Sequence, residues 1–309
     1  MKVAVLGAGP AGLYFAISMK RRNPAHEITV IERNRPDDTF GWGVVLSAET
    51  LENLAANDAV SAAWIRDYFA YWDDIAVFHK GTRTVSTGHG FCGIGRKRLL
   101  LLLQRRARDL GVELVFESEI ADPKPFMASH DLVLAADGLN SRARASFAEV
   151  FKPDIDVRKC KFVWLGTRQK FDDAFTFIFE ETEHGWVWAH AYQFEPETAT
   201  FIVECSEETW AGWGFGDMTR EQSIATCERI FAKYLGGHPL MSNATHLRGS
   251  AWINFPRVLC ERWSHRNLAL MGDAAASAHF SIGSGTKLDR KSTRLNSSHR
   301  SLSRMPSSA

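Results

Sequence analysis

Glycines and carboxylates at fixed intervals carry the clearest chemical signal in this chain. Gly7, Gly9 and Gly12 have the spacing G-x-G-x-x-G, with Ala11 inside the same turn, and Glu32 follows twenty positions after Gly12. Between a strand and a helix, that pattern suits a dinucleotide. The first glycine permits the tight turn, the second lets the backbone approach a pyrophosphate, and the third allows close packing of helix on strand. The helix N-terminus offers free N–H groups to the phosphates, and the later acid can hold a ribose hydroxyl pair. Two further acid–glycine pairs follow, Asp137-Gly138 and Gly272-Asp273. His79, His89, His184, His246, His265 and His279 show no metal-ligand spacing, so no metal is expected.

The elements that must position these residues are legible as hydrophobic runs. Residues 2–6 are β-branched and apolar, residues 13–22 continue as an amphipathic helix stopped by Asn23-Pro24, and residues 27–31 form a second strand that delivers Glu32. Residues 95–110 predict a helix opened by Arg96, Lys97 and Arg98, with strands at 112–117 and 131–136, the latter ending in Asp137-Gly138. From residue 159 the texture becomes β-rich, with runs at 161–169, 175–192 (broken at Glu183-His184-Gly185) and 199–206. In the second of these, Trp186, Trp188, His190 and Tyr192 alternate with small apolar residues and share one sheet face. A helix at 219–235 and a buried strand at 267–271 complete the pattern.

This reads as an α/β protein: a Rossmann-like βαβ domain with a parallel sheet and an inserted β-rich substrate domain. The expected divisions are 1–155 (nucleotide-binding), 156–262 (β-rich) and 263–288 (return of the first domain). Residues 289–309 are Ser- and Arg-rich without an apolar face, so they are expected to form a disordered tail. Their opening resembles a translated sequencing adapter, so the natural sequence is expected to end near Leu288 of this chain, leaving a C-terminally truncated fragment.

Composition is that of a globular enzyme, with 45% hydrophobic and 24% charged residues and a formal net charge of +1. The tail carries five cations against one anion, so the rest of the chain is net negative and no nucleic-acid partner is expected. No run has the length of a membrane span, and glycines with Pro10 interrupt the apolar N-terminus where a signal peptide would need continuity. Cys92, Cys160, Cys205, Cys227 and Cys260 form no C-x-x-C pair, which points to reduced thiols and a cytoplasmic location.

The three motifs in this order, with Arg96-x-x-Leu99-x-x-x-Leu103 between the first two, resemble the single-component FAD-dependent aromatic hydroxylases built on the para-hydroxybenzoate hydroxylase plan. The resemblance implies FAD as cofactor, NADH or NADPH as co-substrate, and O₂ as the oxygen donor to an electron-rich ring. It places Glu32 and the adjoining Arg33 at the adenosine ribose, Arg96 at the FAD diphosphate, and Asp273 of Gly272-Asp273 at the ribityl or pyrophosphate portion. Asp137-Gly138, with Ser141 and Arg144, resembles the motif shared between FAD and NAD(P)H. Trp42, flanked by glycines, is expected beside the isoalloxazine. Gly283, Gly285 and Thr286 would open a helix whose dipole stabilises negative charge on reduced flavin. With nothing native continuing that helix past Leu288, impaired FAD retention is expected. His190 and Tyr192 are candidates for the substrate pocket, the alternative being sheet packing.

Residues 32–45, 71–75, 88–91 and 279–286 resemble the aryl-CoA branch of that family, whose substrates include salicyloyl-CoA and anthraniloyl-CoA. Several of these, with residues 201–210, also resemble the indole-ring hydroxylases of violacein biosynthesis. An inactive fragment of such an enzyme is the third reading. Lys159 and Lys161 could meet CoA phosphates or simply solvate a strand edge. One departure is Ala276, where relatives commonly carry His.

Overall fold

The computed structural model describes residues 1–38, 41–243 and 250–279 of the 309. Strand β1 (Lys2–Leu6), helix α1 (Pro10–Arg22) and β2 (Glu27–Ile31) form the first βαβ half. Pro10 stands at the start of α1, where its missing N–H has no helical partner to lose, and Lys20, Arg21 and Arg22 occupy the last turn, where cations complement the helix dipole. The chain continues through β3 (Gly43–Ser47), α2 (Ala48–Asn57), α3 (Ala59–Arg66), β4 (Ala70–Trp72), β5 (Asp74–His79), β6 (Thr82–Ser86) and β7 (Phe91–Gly95). Helix α4 (Arg96–Asp109), β8 (Glu113–Val115) and β9 (Leu132–Ala135) return it to the first sheet. The β-rich section holds β10 (Pro153–Thr167), β11 (Ala174–Thr182), β12 (Gly185–Glu195) and β13 (Thr198–Cys205), followed by the helix Arg220–Phe231 and the strands β14 (Leu240–Met241) and β15 (Ile253–Cys260). A short hairpin, β16 (Ser264–His265) and β17 (Leu268–Leu270), ends in the turn at Gly272.

The strands make three sheets. The first has the order β16-β17-β9-β1-β2-β8 and is parallel except at β16–β17. β17 therefore returns beside β9, which brings Gly272-Asp273 next to Asp137-Gly138 although far apart in sequence. Helix α1 is buried along most of its length between this sheet and α4, sharing a core of Leu13, Ile17, Leu99 and Leu103.

The second sheet runs β14-β10-β13-β12-β11-β5-β6, with β15 also pairing to β10. Alternation decides its two faces. Val187, Ala189, Ala191, Phe201 and Val203 turn toward the helix Arg220–Phe231 and pack on Cys227 and Phe231. The opposite set carries Trp188, His190, Tyr192, Ile202 and Glu204. β5 and β6 join this sheet from the segment before α4, through a parallel pairing of β5 with β11. The third sheet, β3-β7-β4, is a small antiparallel layer against β12. Among the described residues, no helix is long and apolar enough to cross a membrane.

Candidate functional site

The glycine loop is shaped by contacts that only glycine permits. Gly7 has φ +105° and donates its N–H to Ile31 O at 2.7 Å, and a Cβ there would lie 2.3 Å from Ala136 O. A Cβ on Gly12 would lie 2.1 Å from Gly7 O, because α1 leaves β1 with no room for a side chain between them. Gly9 differs, since a Cβ there would meet nothing within 4 Å. That open position fronts a cavity of about 220 Å³ that also touches Glu32, Arg33, Arg96, Asp137 and Arg142.

Glu32 stands just beyond β2 with its carboxylate fixed by three donors. Oε2 accepts from Ala8 N at 2.9 Å, and Oε1 accepts from Asn34 N at 2.9 Å and Asn34 Nδ2 at 2.8 Å. The acid thus organises the loop as well as facing the cavity. Asp137 Oδ2 accepts from Arg142 N at 2.8 Å and Ala143 N at 3.2 Å, so it caps the short helix Arg142–Ser146. Arg144 is buried and joins the second and third motifs: Nη1 donates to Ala274 O at 3.0 Å and Asp273 O at 3.4 Å, and Nη2 donates to Leu139 O at 2.5 Å. Arg96 opens α4 with its N–H donated to Trp42 O at 2.8 Å. Desolvation raises the Asp273 carboxyl above its usual range, opposed by the charges of Arg96 and Arg144.

A second cavity of about 420 Å³ continues from this region. Its walls include Gly9, Arg96 and Asp273 on one side and Trp164, His190 and Tyr192 on the other. Gly7, Gly9, Glu32, Arg33, Arg96 and Asp137 are therefore gathered at the first cavity, and Ala11, Gly272 and Asp273 at the second, with Gly9 and Arg96 at both. Tyr192 lines the second cavity by its ring, because its hydroxyl donates to Gly43 O at 2.8 Å; burial pushes that phenol well above its ordinary value. Gly283, Gly285 and Thr286 lie outside the described residues.

Trp42 is not brought to either cavity. Its indole lies over Gly166 of β10, Trp164 lies over Gly41, and Phe194 lies over Gly43, so the Gly41-Trp42-Gly43 loop interlocks with the second sheet. A Cβ on Gly166 would approach the Trp42 ring to 2.7 Å. Gly166→Ala is expected to destabilise the fold by about 1–3 kcal/mol through overpacking, which a urea midpoint would read. Lys161 is likewise engaged, its Nζ donating to Asn254 Oδ1 at 2.7 Å and lying 4.7 Å from the Trp210 ring centroid. Ala276 forms an isolated antiparallel bridge with Leu259.

Sequence reasoning passed over Trp164 and Glu204. The signal was available in the alternation of β13, which puts Ile202 and Glu204 on one face, and in the register that sets Trp164 opposite Ile202.

A profile described as pyridine nucleotide-disulphide oxidoreductase matches residues 1–124. Salicyloyl-CoA 5-hydroxylase of Streptomyces sp is 43% identical over 296 residues, covering 93% of this chain; the chain spans 56% of that relative's length. Protodeoxyviolaceinate monooxygenase of Chromobacterium violaceum is 36% identical, covering 93% of this chain and 76% of its own. The 3-hydroxy-4-methyl-anthranilyl-[aryl-carrier protein] 5-monooxygenase of Streptosporangium sibiricum is 34% identical with the same two shares. Among solved structures, the tetrameric form of 2-methyl-3-hydroxypyridine-5-carboxylic acid oxygenase superposes with a TM-score of 0.75 at 19% identity, over 94% of this chain and 80% of that one. That likeness establishes the fold. With the glycine loop, the two acid–glycine motifs and the cavity that joins them, these relatives show that the chain belongs to the FAD-dependent aromatic monooxygenases, flavoproteins that draw on NAD(P)H.

Proposed function

We propose that this chain binds FAD and, with NADH or NADPH and O₂, hydroxylates an activated aromatic ring carried as an aryl-CoA thioester such as salicyloyl-CoA or anthraniloyl-CoA. The observation that carries the reading is the cavity running from the glycine loop to the aromatic face of the second sheet. The residues fit the cofactor: the space in front of Gly9 is open at the N-terminus of α1, where diphosphate charge is stabilised. Bound FAD would supply the hydride acceptance and oxygen activation that no side chain here can perform.

The chain's own residues bind and orient. Gly7, Gly9, Ala11 and Gly12 would cradle the diphosphate, Glu32 with Arg33 would face the adenosine ribose, and Arg96 would neutralise phosphate charge. Asp137, Gly272 and Asp273 would line the path toward the reacting ring, with Gly283, Gly285 and Thr286 as further candidates. Tyr192, Trp164 and Phe175 would form an apolar wall that excludes water from the ring. In this reading residues 1–155 and 263–288 hold the cofactor, and residues 156–262 present the substrate sheet, with β5 and β6 added from the first segment. Free cysteines at all five positions accord with a cytoplasmic location. The aryl-CoA choice rests on the 43% identity to the salicyloyl-CoA enzyme; the 36% identity to the protodeoxyviolaceinate enzyme supports an indole-ring substrate as the second reading.

The test is an absorbance scan of the purified chain with added FAD, then NADH and NADPH oxidation with salicyloyl-CoA, anthraniloyl-CoA and an indole substrate. A bound-flavin spectrum, oxidation stimulated by one of the thioesters and a hydroxylated product are expected. Stimulation by the indole alone would replace the aryl-CoA reading, and failure to hold FAD would leave the third reading, an inactive fragment of such an enzyme. Glu32→Ala is expected to weaken FAD binding by about 1.5–3 kcal/mol, the loss of a hydrogen bond to a charged acceptor. Unchanged affinity in a fluorescence titration would remove Glu32 from the cofactor site.

A further inference from the structure

The second cavity opens to solvent beside the ribbon that β10 and β15 form. Phe162 of β10 and Ile253, Asn254 and Phe255 of β15 line its wall, yet Ile253 is 39% exposed, so the wall ends there in a mouth. At that mouth β10 leaves its regular pairing. The register with β15 jumps between Val157 and Lys161, and Arg158, Lys159 and Cys160 stand out of the ladder, all exposed. Asn254 holds this bulge: its Nδ2 donates to Arg158 O at 2.8 Å and Lys159 O at 3.1 Å, while its Oδ1 accepts from Lys161 Nζ at 2.7 Å. A bulge re-aims the side chains it carries, and here a residue of the cavity wall fixes the backbone that carries two cations.

Neither cation is committed to a strong partner. Arg158 pairs with Asp156 at 3.0 Å, but both side chains are about half exposed, where water makes such a pair weak. Lys159 has no ion pair among the described residues; it acts on the exposed Glu208, whose carboxyl is lowered first by bonds from its own backbone and from Ser206 and last by this charge. Arg158 is close to the mouth, because His279, whose ring centroid lies 5.3 Å from that of Phe255, is lowered by desolvation and then by the Arg158 charge. An apolar wall followed along one strand by two cations suits a ligand that is apolar at one end and anionic at the other. The strand also measures it. Trp164 lines the inner cavity, and Lys159 lies five residues back along β10. The arm of an aryl-CoA thioester runs about thirteen bonds from sulfur to its first phosphorus, the contour of about four extended residues or roughly 15 Å. A ring seated against Trp164 therefore carries its first phosphate out to the bulge.

We infer that the bulge at Arg158 and Lys159 is the phosphate site for the phosphopantetheine arm of an aryl-CoA thioester, with Ile253 and Phe255 forming the apolar channel under the arm. The inference rests on the aryl-CoA reading and gives the far end of that substrate a place. Arg158 donates its planar N–H groups to the phosphate oxygens, Lys159 adds a point charge, and the more highly charged phosphate displaces Asp156 from the guanidinium. Lys161 stays on Asn254 and keeps the bulge in position. The role is binding alone. The phosphate lies several residues of strand away from the reacting ring, so the two cations set KM and leave the chemical step unchanged.

The experiment compares wild type with R158Q, K159Q and the double variant, all with FAD added. Isothermal titration with CoA, 4′-phosphopantetheine and pantetheine, without reductant, reads the site apart from turnover. CoA is expected to bind wild type about tenfold more tightly than either single variant, as for one charge-assisted contact, and added salt should erase most of that difference. Phosphopantetheine should show the same dependence on the two cations, and pantetheine, which has no phosphate, should bind all four proteins alike. In turnover, KM for salicyloyl-CoA or anthraniloyl-CoA should rise about tenfold in each single variant with kcat within about twofold, while KM for the matching pantetheine thioester stays as in wild type. CoA affinity and KM that are the same in wild type and the folded double variant would overturn the arm site while leaving thioester hydroxylation, and so the aryl-CoA reading, intact. A dependence on the cations that appears with CoA but not with phosphopantetheine would also overturn it, by moving the contact to the nucleotide. If no thioester stimulates oxidation, yet CoA and phosphopantetheine still bind through Arg158 and Lys159, the aryl-CoA reading fails and the phosphate site stands.

Discussion

Gly9→Ala is expected to give a chain that folds as wild type does but holds FAD about 10–100-fold more weakly, whereas Gly12→Ala should lose stability outright. The contrast follows from what each Cβ would meet. At Gly12 the new carbon would fall 2.1 Å from the backbone oxygen of Gly7, and neither α1 nor β1 can yield without opening the core they share. Overpacking against backbone belongs at or above the ~3 kcal/mol upper end of such substitutions. For a domain of this size that is a fall of roughly 6 °C or more in Tm. At Gly9 the backbone is extended, with φ −70° and ψ 175°, which alanine adopts without strain, and a Cβ would meet no atom within 4 Å. Its methyl would stand in the open space proposed above for the diphosphate. The weaker binding corresponds to one lost charge-assisted hydrogen bond, about 1.5–3 kcal/mol. Differential scanning calorimetry and a flavin titration on the two variants separate the effects. Equal Tm losses would show that the loop is only a structural turn, and tight FAD binding by Gly9→Ala would move the diphosphate elsewhere.

The same contrast shows how far the sequence could be read. β1, α1 and β2 were legible because their signals are local: an apolar strand, glycines at fixed intervals, a periodic helix and a terminal acid. The helix opening at Arg96 and the strands ending at Asp137-Gly138 and Gly272-Asp273 were legible for the same reason. What escaped depends on pairing across long separations. Residues 43–95 supply β3, β4 and β7 to a small sheet and β5 and β6 to the large one, and no short window encodes that division. β10 begins at Pro153, eight residues before the expected start, because its polar, exposed opening is held by pairing with β15. Trp42 reads as a flavin neighbour by its flanking glycines, yet the complementary gap at Gly166, more than a hundred residues away, receives its ring. Glu204 looked like one acid among several; only the register of β12 and β13 shows that it is buried beside His190.

Asp58→Asn is expected to cost about 3–5 kcal/mol at neutral pH, the loss typical when one member of a buried ion pair is removed. Asp58 precedes α3 and is fully buried. It accepts from Ser61 N at 3.2 Å and from the Ser61 hydroxyl, from Arg106 Nε at 2.8 Å and Nη2 at 2.9 Å, and from Arg21 Nη1 at 2.9 Å. One carboxylate thus ties α1, α3 and α4 behind the cofactor loop. Burial by itself would raise its pKa, but the hydrogen bonds from Arg106 and Ser61 outweigh it and hold the carboxyl below the usual range. The Arg21 contact adds little, because that side chain is 41% exposed and screened by water. The folded pKa lies below the unfolded value of about 3.9, so the stabilisation is present above that value and is lost as pH falls through the folded pKa. Urea midpoints of wild type and Asp58→Asn should therefore be far apart at neutral pH and converge in acid. In the variant the half-buried Arg106 is left without its anion, so adding Arg106→Leu should recover part of the loss. A gap that stays constant into acid, or a double variant no better than Asp58→Asn alone, would mean that the site stabilises the fold through packing and the Ser61 cap instead of through charge.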